Sequence, residues 1–318
     1  MDKFTFKGEE NLDIHVYKYK PRENEAIKGV VQISHGMSEE ASRYENFARA
    51  LNNNGYIVYI NDHRGHGKSI MNKDDIGKLA KKDGIDCIVK DLRKLNKIIK
   101  NENENLPIFL FSHSMGSFAS QKYIMEFGDT IEGVILSGTN GIHGLEVDFG
   151  FIVAKLMCKI KGRDERAYLI DKLAFGGFNK KFNPNRTDFD WLSRDTIEVD
   201  KYIQNESCGV VFTNGYFYDL FSLFKEIRKL DNINKVNKNL PIYIFAGDKD
   251  PVGKFGKGII RLYENYKSVG IKDCTYKLYK DGRHEMLNEL NRDDVILDTI
   301  KWIDKRVDNI NQEALYKS

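Results

Sequence analysis

The sequence has few cysteines and no large excess of charge of either sign. The four cysteines lie far apart, with no CxxC pair and no histidine cluster beside them: Cys87, Cys158, Cys208 and Cys274. This spacing argues against a zinc site or a disulfide framework and predicts reduced thiols in a cytoplasmic protein. Lysine and arginine total 50 against 47 aspartates and glutamates, a net charge of +3, so bulk charge gives no reason to expect nucleic-acid binding.

Membrane and secretory signals are also missing. No stretch of about 18 uncharged apolar residues occurs, so we expect no transmembrane span. Residues 1–10 carry charges where a signal peptide needs an apolar stretch, so we expect no secretion. With 318 residues, 41% of them hydrophobic, the chain is long enough for one large domain, or for one domain that carries an insertion.

A regular alternation of strand and helix patterns fills the first part of the chain. Alternating apolar residues near the start predict a hairpin or two edge strands. Short apolar runs rich in β-branched residues then predict strands at 28–34, 56–60, 107–111 and 131–136. Helical spacing of apolar residues predicts helices at 42–54, 85–99 and 116–127. This alternation is typical of a parallel sheet with helices on both faces.

The alternation stops at residue 139 and resumes at residue 239. Residues 139–238 contain apolar and aromatic helical patterns without a clear strand, and the patterns that follow predict a strand at 240–246, a helix at 258–267, a strand at 274–279 and a helix at 293–307. We therefore predict a doubly wound, mostly parallel α/β sheet. Residues 1–138 and 239–318 form its core, and residues 139–238 form an inserted helical lid. Such an insertion would lie over the edge where open α/β sheets bind ligands.

A serine motif lies between a predicted strand and a predicted helix. The segment Ser112-His113-Ser114-Met115-Gly116 matches the nucleophile-elbow pattern G-x-S-x-G, except that Ser112 replaces the first glycine. An elbow needs small flanking residues because the neighbouring strands and the helix crowd it, and serine is small enough. Ser114 is therefore the candidate nucleophile, and the interpretation depends on the strand–turn–helix context.

His35-Gly36-Met37 follows the predicted strand at 28–34. Glycine lets the backbone turn sharply, so that the next N–H can face a reacting carbonyl. The backbone N–H groups of Met37 and Met115 are therefore candidates for an oxyanion hole. An ordinary turn is the alternative for the His-Gly pair taken alone.

An aspartate and a histidine follow the last two predicted strands. Asp250 lies in Gly247-Asp248-Lys249-Asp250-Pro251, and His284 lies in Gly282-Arg283-His284-Glu285. Ser114, Asp250 and His284 occur in the chain order of a serine hydrolase triad on a parallel sheet. A serine hydroxyl needs a histidine to take its proton, and the histidine needs a carboxylate to hold its tautomer. Taken singly, the aspartate could form a turn and the histidine could simply pack.

Five segments together resemble the monoacylglycerol lipase and lysophospholipase branch of the serine α/β-hydrolases: SHSMGS, HGMSEEASRY, NDHRGHGKS, GDKDPVG and GRHEMLNE. The resemblance runs from about residue 10 to 305 and is weakest across 139–238. It implies the α/β-hydrolase fold, with Ser114 as nucleophile, Asp250 as acid, His284 as base and an oxyanion N–H from Met37. It implies neither a metal nor an organic cofactor. Ser112 and Ser117 stand where the family usually has glycine.

Several other features have two interpretations each. The loop at 62–69, with His63 and His66, is either a metal or phosphate loop or, as the resemblance implies, a structural loop near the site. His113 is expected to point back into the elbow, and His143 to lie on the lid surface. Apolar residues and lysines alternate at 147–163, which suits a lid that touches an acyl chain or a membrane surface, or one that packs on the core. The aromatic stretch at 212–224 suits an acyl tunnel or a buried helix.

The sequence therefore predicts a serine hydrolase that cleaves lipid monoesters such as monoacylglycerols or lysophospholipids. A small-molecule carboxylesterase or a serine peptidase on the same triad is the enzymatic alternative, because the triad determines the reaction type and the lid determines the substrate. A hydrolase-fold binding protein without turnover is the alternative from another class. Dehalogenases and epoxide hydrolases of this fold are disfavoured because they have an aspartate where Ser114 stands.

Overall fold

The computed structural model describes residues 1–23, 25–142 and 144–317, so the predicted lid residue His143 lies outside the described residues. One sheet of eight strands runs through the described part of the chain. The strands are β1 (Asp2–Lys7), β2 (Asp13–Tyr19), β3 (Gly29–Ser34), β4 (Tyr56–Asn61), β5 (Ile108–His113), β6 (Gly133–Ser137), β7 (Ile242–Gly247) and β8 (Cys274–Tyr279). Their order in the sheet is β1-β2-β4-β3-β5-β6-β7-β8. The β1–β2 and β2–β4 pairs are antiparallel and the other pairs are parallel.

Ten α-helices accompany the sheet in the same described ranges. They are α1 (Glu45–Asn52), α2 (Gly84–Glu102), α3 (Met115–Phe127), α4 (Leu145–Lys161), α5 (Tyr168–Phe175), α6 (Thr196–Gln204), α7 (Asn214–Ile227), α8 (Leu230–Ile233), α9 (Lys257–Ser268) and α10 (Arg292–Lys317). Apolar residues of α1 and α10 pack on one face of the sheet, and those of α2, α3 and α9 pack on the other. Helices on both faces explain why the central strands consist almost entirely of apolar residues.

Alternate residues of each central strand supply the two cores. On β5, Leu110 packs with α2 and α3, whereas Phe109 and Phe111 pack with α1 and α10. Successive side chains of a strand point to opposite faces, so this division follows directly from the pleat. Because β3 to β8 are parallel, their carboxyl ends lie along one edge of the sheet.

The helices α4 to α8 are inserted between β6 and β7. Helix α4 packs along α7, and α7 packs against α2 and α3 of the core. Asp219 on α7 accepts a hydrogen bond from the backbone N–H of Gly84 at 2.8 Å and pairs with Arg163 at 2.7 Å. Helix α7 is therefore one attachment of the inserted segment to the core. None of the described helices is long and apolar enough to cross a bilayer.

The predicted α/β fold is confirmed, and the differences are at element ends. The helix predicted at 42–54 is a short 3-10 turn (Ala41–Tyr44) followed by α1. Gly55 has a left-handed φ of 86°, but it lies beyond the end of α1 and turns the chain into β4. Strand β5 extends past residue 111 because Ser112 and His113 continue the parallel pairing with β6. Helix α3 begins at Met115, directly after the serine of the elbow.

Candidate active site

The turn between β5 and α3 holds Ser114 in a strained conformation. Its backbone has φ 50° and ψ −120°, a region that costs a non-glycine residue about 1–3 kcal/mol. Its N–H donates to the carbonyl of Ser137 at 2.9 Å, and its own carbonyl accepts from Ser117 N at 2.8 Å and Phe118 N at 3.1 Å. The turn therefore holds the Ser114 side chain above the carboxyl end of the sheet.

The residues around Ser114 meet the packing demands of this turn. A Cβ at Gly116 would overlap the carbonyl oxygens of Ser34 and His35, so no larger residue fits there. Ser112 and Ser117 replace the usual glycines, and each hydroxyl has a partner. Ser112 Oγ donates to the Ile135 carbonyl at 2.9 Å, and Ser117 Oγ donates to the Ser114 carbonyl at 2.6 Å. Both departures from the family pattern are thus compatible with the elbow.

The three predicted triad residues meet at this edge of the sheet. His284 Nε2 lies 2.9 Å from Ser114 Oγ, and His284 Nδ1 lies 3.0 Å from Asp250 Oδ1. Asp250 is fully buried, and its Oδ1 also accepts the Val252 N–H at 2.8 Å. Asp248 instead accepts the backbone N–H of Asp281 at 2.9 Å, as expected for a residue that stabilises a turn.

Two buried histidines pack against each other beside Ser114 and respond differently to their surroundings. Burial alone would lower the pKa of His284, but the charge of Asp250 and its hydrogen bond raise that pKa above the ordinary 6.5. The ring of His113 lies 4.7 Å from the ring of His284. Burial first, and then the neighbouring His284, lower the pKa of His113 to about 3. His113 therefore stays neutral at neutral pH, and its Nδ1 lies 3.3 Å from the hydroxyl of Ser137.

One glycine at the site was not singled out from the sequence. Gly138 follows β6 with a left-handed φ of 57°, and a Cβ there would lie 2.9 Å from the Cε1 atoms of both His113 and His284. Any side chain at this position would therefore displace the imidazole of His113 or His284. A glycine directly after a predicted strand was the only signal available in the sequence.

The two predicted oxyanion-hole residues, Met37 and Met115, line the same cavity as Ser114. Met115 is the first residue of α3, so its N–H has no acceptor within the helix. Gly36 packs against the serine, because a Cβ on Gly36 would lie 3.2 Å from Ser114 Cβ. Two backbone N–H groups at a helix start and a tight turn can hold an oxyanion.

A buried charged network lies beneath the Gly36 turn. Glu39 accepts hydrogen bonds from Gly36 N at 2.5 Å and from the hydroxyl of Tyr44 at 2.7 Å. Arg43 pairs with Glu39 at 3.3 Å and also with Glu285, the residue after His284. Glu39 and Arg43 lie four residues apart in the HGMSEEASRY segment, and their pairing was not predicted. The pairing of Arg43 with Glu285 joins residues that are distant in the sequence, so no local pattern reveals it.

Three buried histidines, His35, His63 and His66, form a cluster beside the turn at Gly36. The rings of His35 and His63 lie 4.3 Å apart, and those of His35 and His66 lie 5.1 Å apart. Burial lowers the pKa of His35 to about 4 and that of His66 to about 3. No group of three or more histidine, cysteine, aspartate or glutamate side chains in the described ranges has an arrangement that holds a metal ion. The cluster instead supports this turn, since His35 Nε2 accepts the backbone N–H of His63 at 2.9 Å.

A cavity of about 940 Å³ opens above Ser114. Its lining is mostly apolar and comes largely from the inserted helices: Val147, Phe149 and Val153 of α4, Ile170 and Leu173 of α5, and Phe217, Leu220, Phe221 and Phe224 of α7. Trp191 also lines it, with its ring 5.1 Å from that of His284. The aromatic stretch at 212–224 thus contributes both to the cavity wall and to the core, where Phe212 packs 4.8 Å from His66. Cys208 is buried and does not line this cavity.

The fold and the arrangement of the site define an α/β-hydrolase. A family model described as "Serine aminopeptidase, S33" matches residues 25–291. The chain is 36% identical over 292 residues to a monoglyceride lipase homolog of Monkeypox virus, covering 88% of this chain and 91% of the relative. It is 26% identical over 282 residues to a monoacylglycerol lipase of Mycolicibacterium smegmatis, covering 87% and 88%.

A solved structure is similar over almost its whole length. A thermostable carboxyl esterase from Bacillus coagulans, solved in complex with glycerol, superposes with a TM-score of 0.89 at 26% identity, covering 96% of this chain and 98% of that chain. The chain belongs to the serine aminopeptidase S33 family of α/β-hydrolases. Within it, the chain falls among the monoacylglycerol lipase-like members, which are carboxylic ester hydrolases.

Proposed function

We propose that this protein hydrolyses lipid monoesters through an acyl-enzyme, with Ser114 as nucleophile, His284 as general base and Asp250 as the acid that orients the base. The observation that carries the proposal is the unbroken series of contacts from Ser114 to His284 to Asp250 at the base of a large apolar cavity. The monoacylglycerol and monoglyceride lipases among its relatives support the choice of substrate class.

Acylation begins when Ser114 Oγ attacks the carbonyl carbon of the ester while His284 Nε2 takes its proton. The N–H groups of Met37 and Met115 stabilise the resulting oxyanion, each contributing on the order of 3 kcal/mol. The tetrahedral intermediate collapses, and His284 gives the proton to the departing alcohol oxygen. Asp250 holds Nδ1–H throughout, so that Nε2 faces Ser114 and the imidazolium is stabilised.

Deacylation repeats these steps with water in place of the serine. His284 takes a proton from the water, whose oxygen attacks the acyl carbonyl carbon. The new oxyanion accepts hydrogen bonds from the same two N–H groups. The collapse of this intermediate returns the proton to Ser114 Oγ and releases the carboxylic acid. One ester and one water thus yield one acid and one alcohol, and the enzyme is regenerated.

Residues 139–238 act in this proposal as a lid that receives the acyl chain. The cavity walls from α4, α5 and α7 are apolar and aromatic, which suits an aliphatic chain. Each methylene that such a wall removes from water contributes about 0.8 kcal/mol. Acyl-chain binding is therefore the interaction that separates a lipid monoester from a short-chain ester.

The polar side of the cavity is suited to the alcohol part of the substrate. Glu39 and Glu285 line it, and each pairs with Arg43. Lys172, Lys180 and Lys254 also line the cavity, so its polar lining carries charges of both signs. A hydroxyl-bearing alcohol can hydrogen-bond to such side chains. The relatives that are monoacylglycerol and monoglyceride lipases favour monoacylglycerols over lysophospholipids as the substrate.

Glu39 and Glu285 give no support to the peptidase alternative. An aminopeptidase needs a free carboxylate for the ammonium group of its substrate, and these two carboxylates are already paired. Both oxygens of Glu39 already have partners, namely Gly36 N–H and the Tyr44 hydroxyl at Oε1 and Arg43 at Oε2. Glu285 is paired with Arg43 and accepts from Asn288 Nδ2 at 3.0 Å.

The lid also offers a surface for contact with lipid. Large apolar side chains are exposed along α4 and α5: Leu145, Phe149, Ile152, Leu156 and Ile160, and Tyr168, Leu169 and Leu173. Exposed lysines flank them at 155, 159 and 172. An apolar stripe flanked by lysines is typical of a helix that lies in a membrane interface, and Phe149 reaches both this surface and the cavity. We propose transient contact with a membrane surface through this face.

A substrate panel with a serine-directed probe tests the proposed function. Purified protein and its Ser114→Ala variant are treated with a fluorophosphonate, and turnover is measured on monoacylglycerols, lysophospholipids, p-nitrophenyl esters and aminoacyl p-nitroanilides. Rapid labelling of the wild type alone, with the highest kcat/KM on monoacylglycerols, is the expected result. Wild-type protein that is not labelled would support a non-catalytic binding protein, and preferred cleavage of the anilides would support a peptidase.

A further inference from the structure

The inserted segment at 190–195 is bonded directly to the loop that carries His284. The backbone N–H of His284 faces the Trp191 carbonyl at 3.4 Å, and that of Glu285 donates to the Leu192 carbonyl at 2.8 Å. Ser193 Oγ donates to the carbonyl of Asn288 at 2.8 Å. The base and one wall of the cavity are therefore held as a single unit, although they lie far apart along the chain.

A buried carboxylate lies where these two segments meet. Glu289 is fully buried, and its Oε1 accepts the backbone N–H groups of Arg283 at 2.9 Å and Arg194 at 3.1 Å. Its Oε2 accepts the Arg194 guanidinium Nε at 2.9 Å and the Leu290 N–H at 2.9 Å. All four donors thus converge on one side chain. A buried carboxylate is costly unless it is paired and hydrogen-bonded, and Glu289 meets both conditions.

We propose that Glu289 is a positioning residue for His284, which it holds in place through Arg283 on one side and the 190–195 segment on the other. This inference rests on the proposed role of His284 as base. Arg283 N–H belongs to the residue directly before His284, so its bond to Glu289 fixes where the imidazole leaves the backbone. Arg194 fixes the segment whose Trp191 ring packs 5.1 Å from the imidazole.

The bond between Glu289 and Arg283 affects catalysis because His284 must face Ser114 and Asp250 at once. The distances are 2.9 Å and 3.0 Å, and a displacement of about 1 Å is sufficient to reduce the rate about 10²-fold. A displaced imidazole also lies farther from Asp250, the group that raises its pKa. A fault in positioning therefore changes the pH dependence of catalysis, whereas a loss of stability alone does not.

Glu289→Gln tests this role because it keeps the shape of the side chain and removes the charge. We expect its fluorophosphonate labelling rate and its kcat on a p-nitrophenyl ester to fall about 10²-fold at neutral pH, with the acid limb of the kcat/KM profile shifted to lower pH. Arg194→Met is a second variant that keeps the Arg283 bond and removes the guanidinium. Its expected loss is smaller, and it provides a second, independent measurement of the same role.

Asp219→Asn is the matched control. Asp219 is also a buried carboxylate that pairs with an arginine of the inserted segment and accepts a backbone N–H, but it lies away from His284. The Asp219→Asn variant should have a lower unfolding temperature and an unchanged pH profile of kcat/KM. The proposal is overturned if both Glu289→Gln and Arg194→Met label at the rate of Asp219→Asn with an unchanged acid limb. A wild type that is never labelled would instead refute the proposed function, so the two failures are distinguishable.

Discussion

The buried histidine cluster should make the folded state sensitive to acid, and His66 allows this effect to be measured. The pKa of a histidine in an unfolded chain is about 6.5, whereas burial lowers the pKa of His66 to about 3. At a pH between these two pKa values, His66 is protonated in the unfolded chain and neutral in the folded chain. Stability is therefore fully present above pH 6.5 and falls as the pH falls through this window.

The size of the effect follows from the linkage relation. At pH 5.5, one histidine of this kind lowers the free energy of unfolding by about 1.4 kcal/mol relative to pH 7.5. In a His66→Asn variant the amide nitrogen can replace His66 Nδ1, which lies 3.0 Å from the Arg64 carbonyl, and no group titrates there. The variant carries a packing cost that does not depend on pH. His284, whose raised pKa acts in the opposite direction, is common to both proteins and cancels.

Urea unfolding followed by circular dichroism at pH 7.5, 6.5 and 5.5 measures the difference. The wild type should lose about 1.4 kcal/mol more than His66→Asn between the highest and lowest pH. If the free energy of unfolding changed with pH by the same amount in both proteins, His66 would titrate alike in the folded and unfolded states. The reasoning from burial would then be wrong. A larger loss in the variant would contradict the sign of the effect.

Three further predictions concern the proposed chemistry. Ser114→Ala should abolish ester hydrolysis, a loss on the order of 10⁶ in kcat, while its circular dichroism spectrum stays that of the wild type; turnover near the wild-type rate would exclude this nucleophile. Asp250→Asn should cut kcat about 10⁴-fold, whereas Asp248→Asn should have a small effect; the reverse order in a kcat assay would refute the choice of acid. In a series of esters with acyl chains of two to eighteen carbons, each assayed below its aggregation threshold, kcat/KM should rise with acyl length and then fall. Four additional buried methylenes contribute roughly 3 kcal/mol, which raises kcat/KM about a hundredfold. A maximum at acetate would indicate a small-molecule esterase.

The sheet and the three meeting residues were predictable from the sequence because their signals are local. A run of β-branched residues followed by a serine, an aspartate or a histidine predicts where that side chain lies, because parallel strands end at one edge of the sheet. The family pattern places the acid directly before Pro251, which favours Asp250, and Asp248 better suits a residue that stabilises a turn. The structure shows the physical difference, because one carboxylate contacts His284 and the other contacts the Asp281 turn.

The contacts between the inserted segment and the core were not predictable. Glu289 belongs to the recognised GRHEMLNE segment, yet its partner Arg194 is distant in sequence, and no local pattern links them. Gly138 is necessary because two imidazoles approach it in space, which only the packed structure reveals. The ends of the helices in 139–238 were likewise left open, because packing against α2 and α3 decides them rather than spacing alone.

The attachment of the inserted segment has a consequence for how such enzymes diverge and how they are engineered. The reacting groups come from loops of the sheet, while most of the cavity wall comes from an insertion between β6 and β7, so new specificity can arise by exchange of the insertion alone. The 190–195 segment limits that modularity, since it is bonded to the loop of the base. A transplanted insertion therefore needs a matching partner for Glu289, and chimaeras that ignore this contact should fail in turnover before they fail in binding.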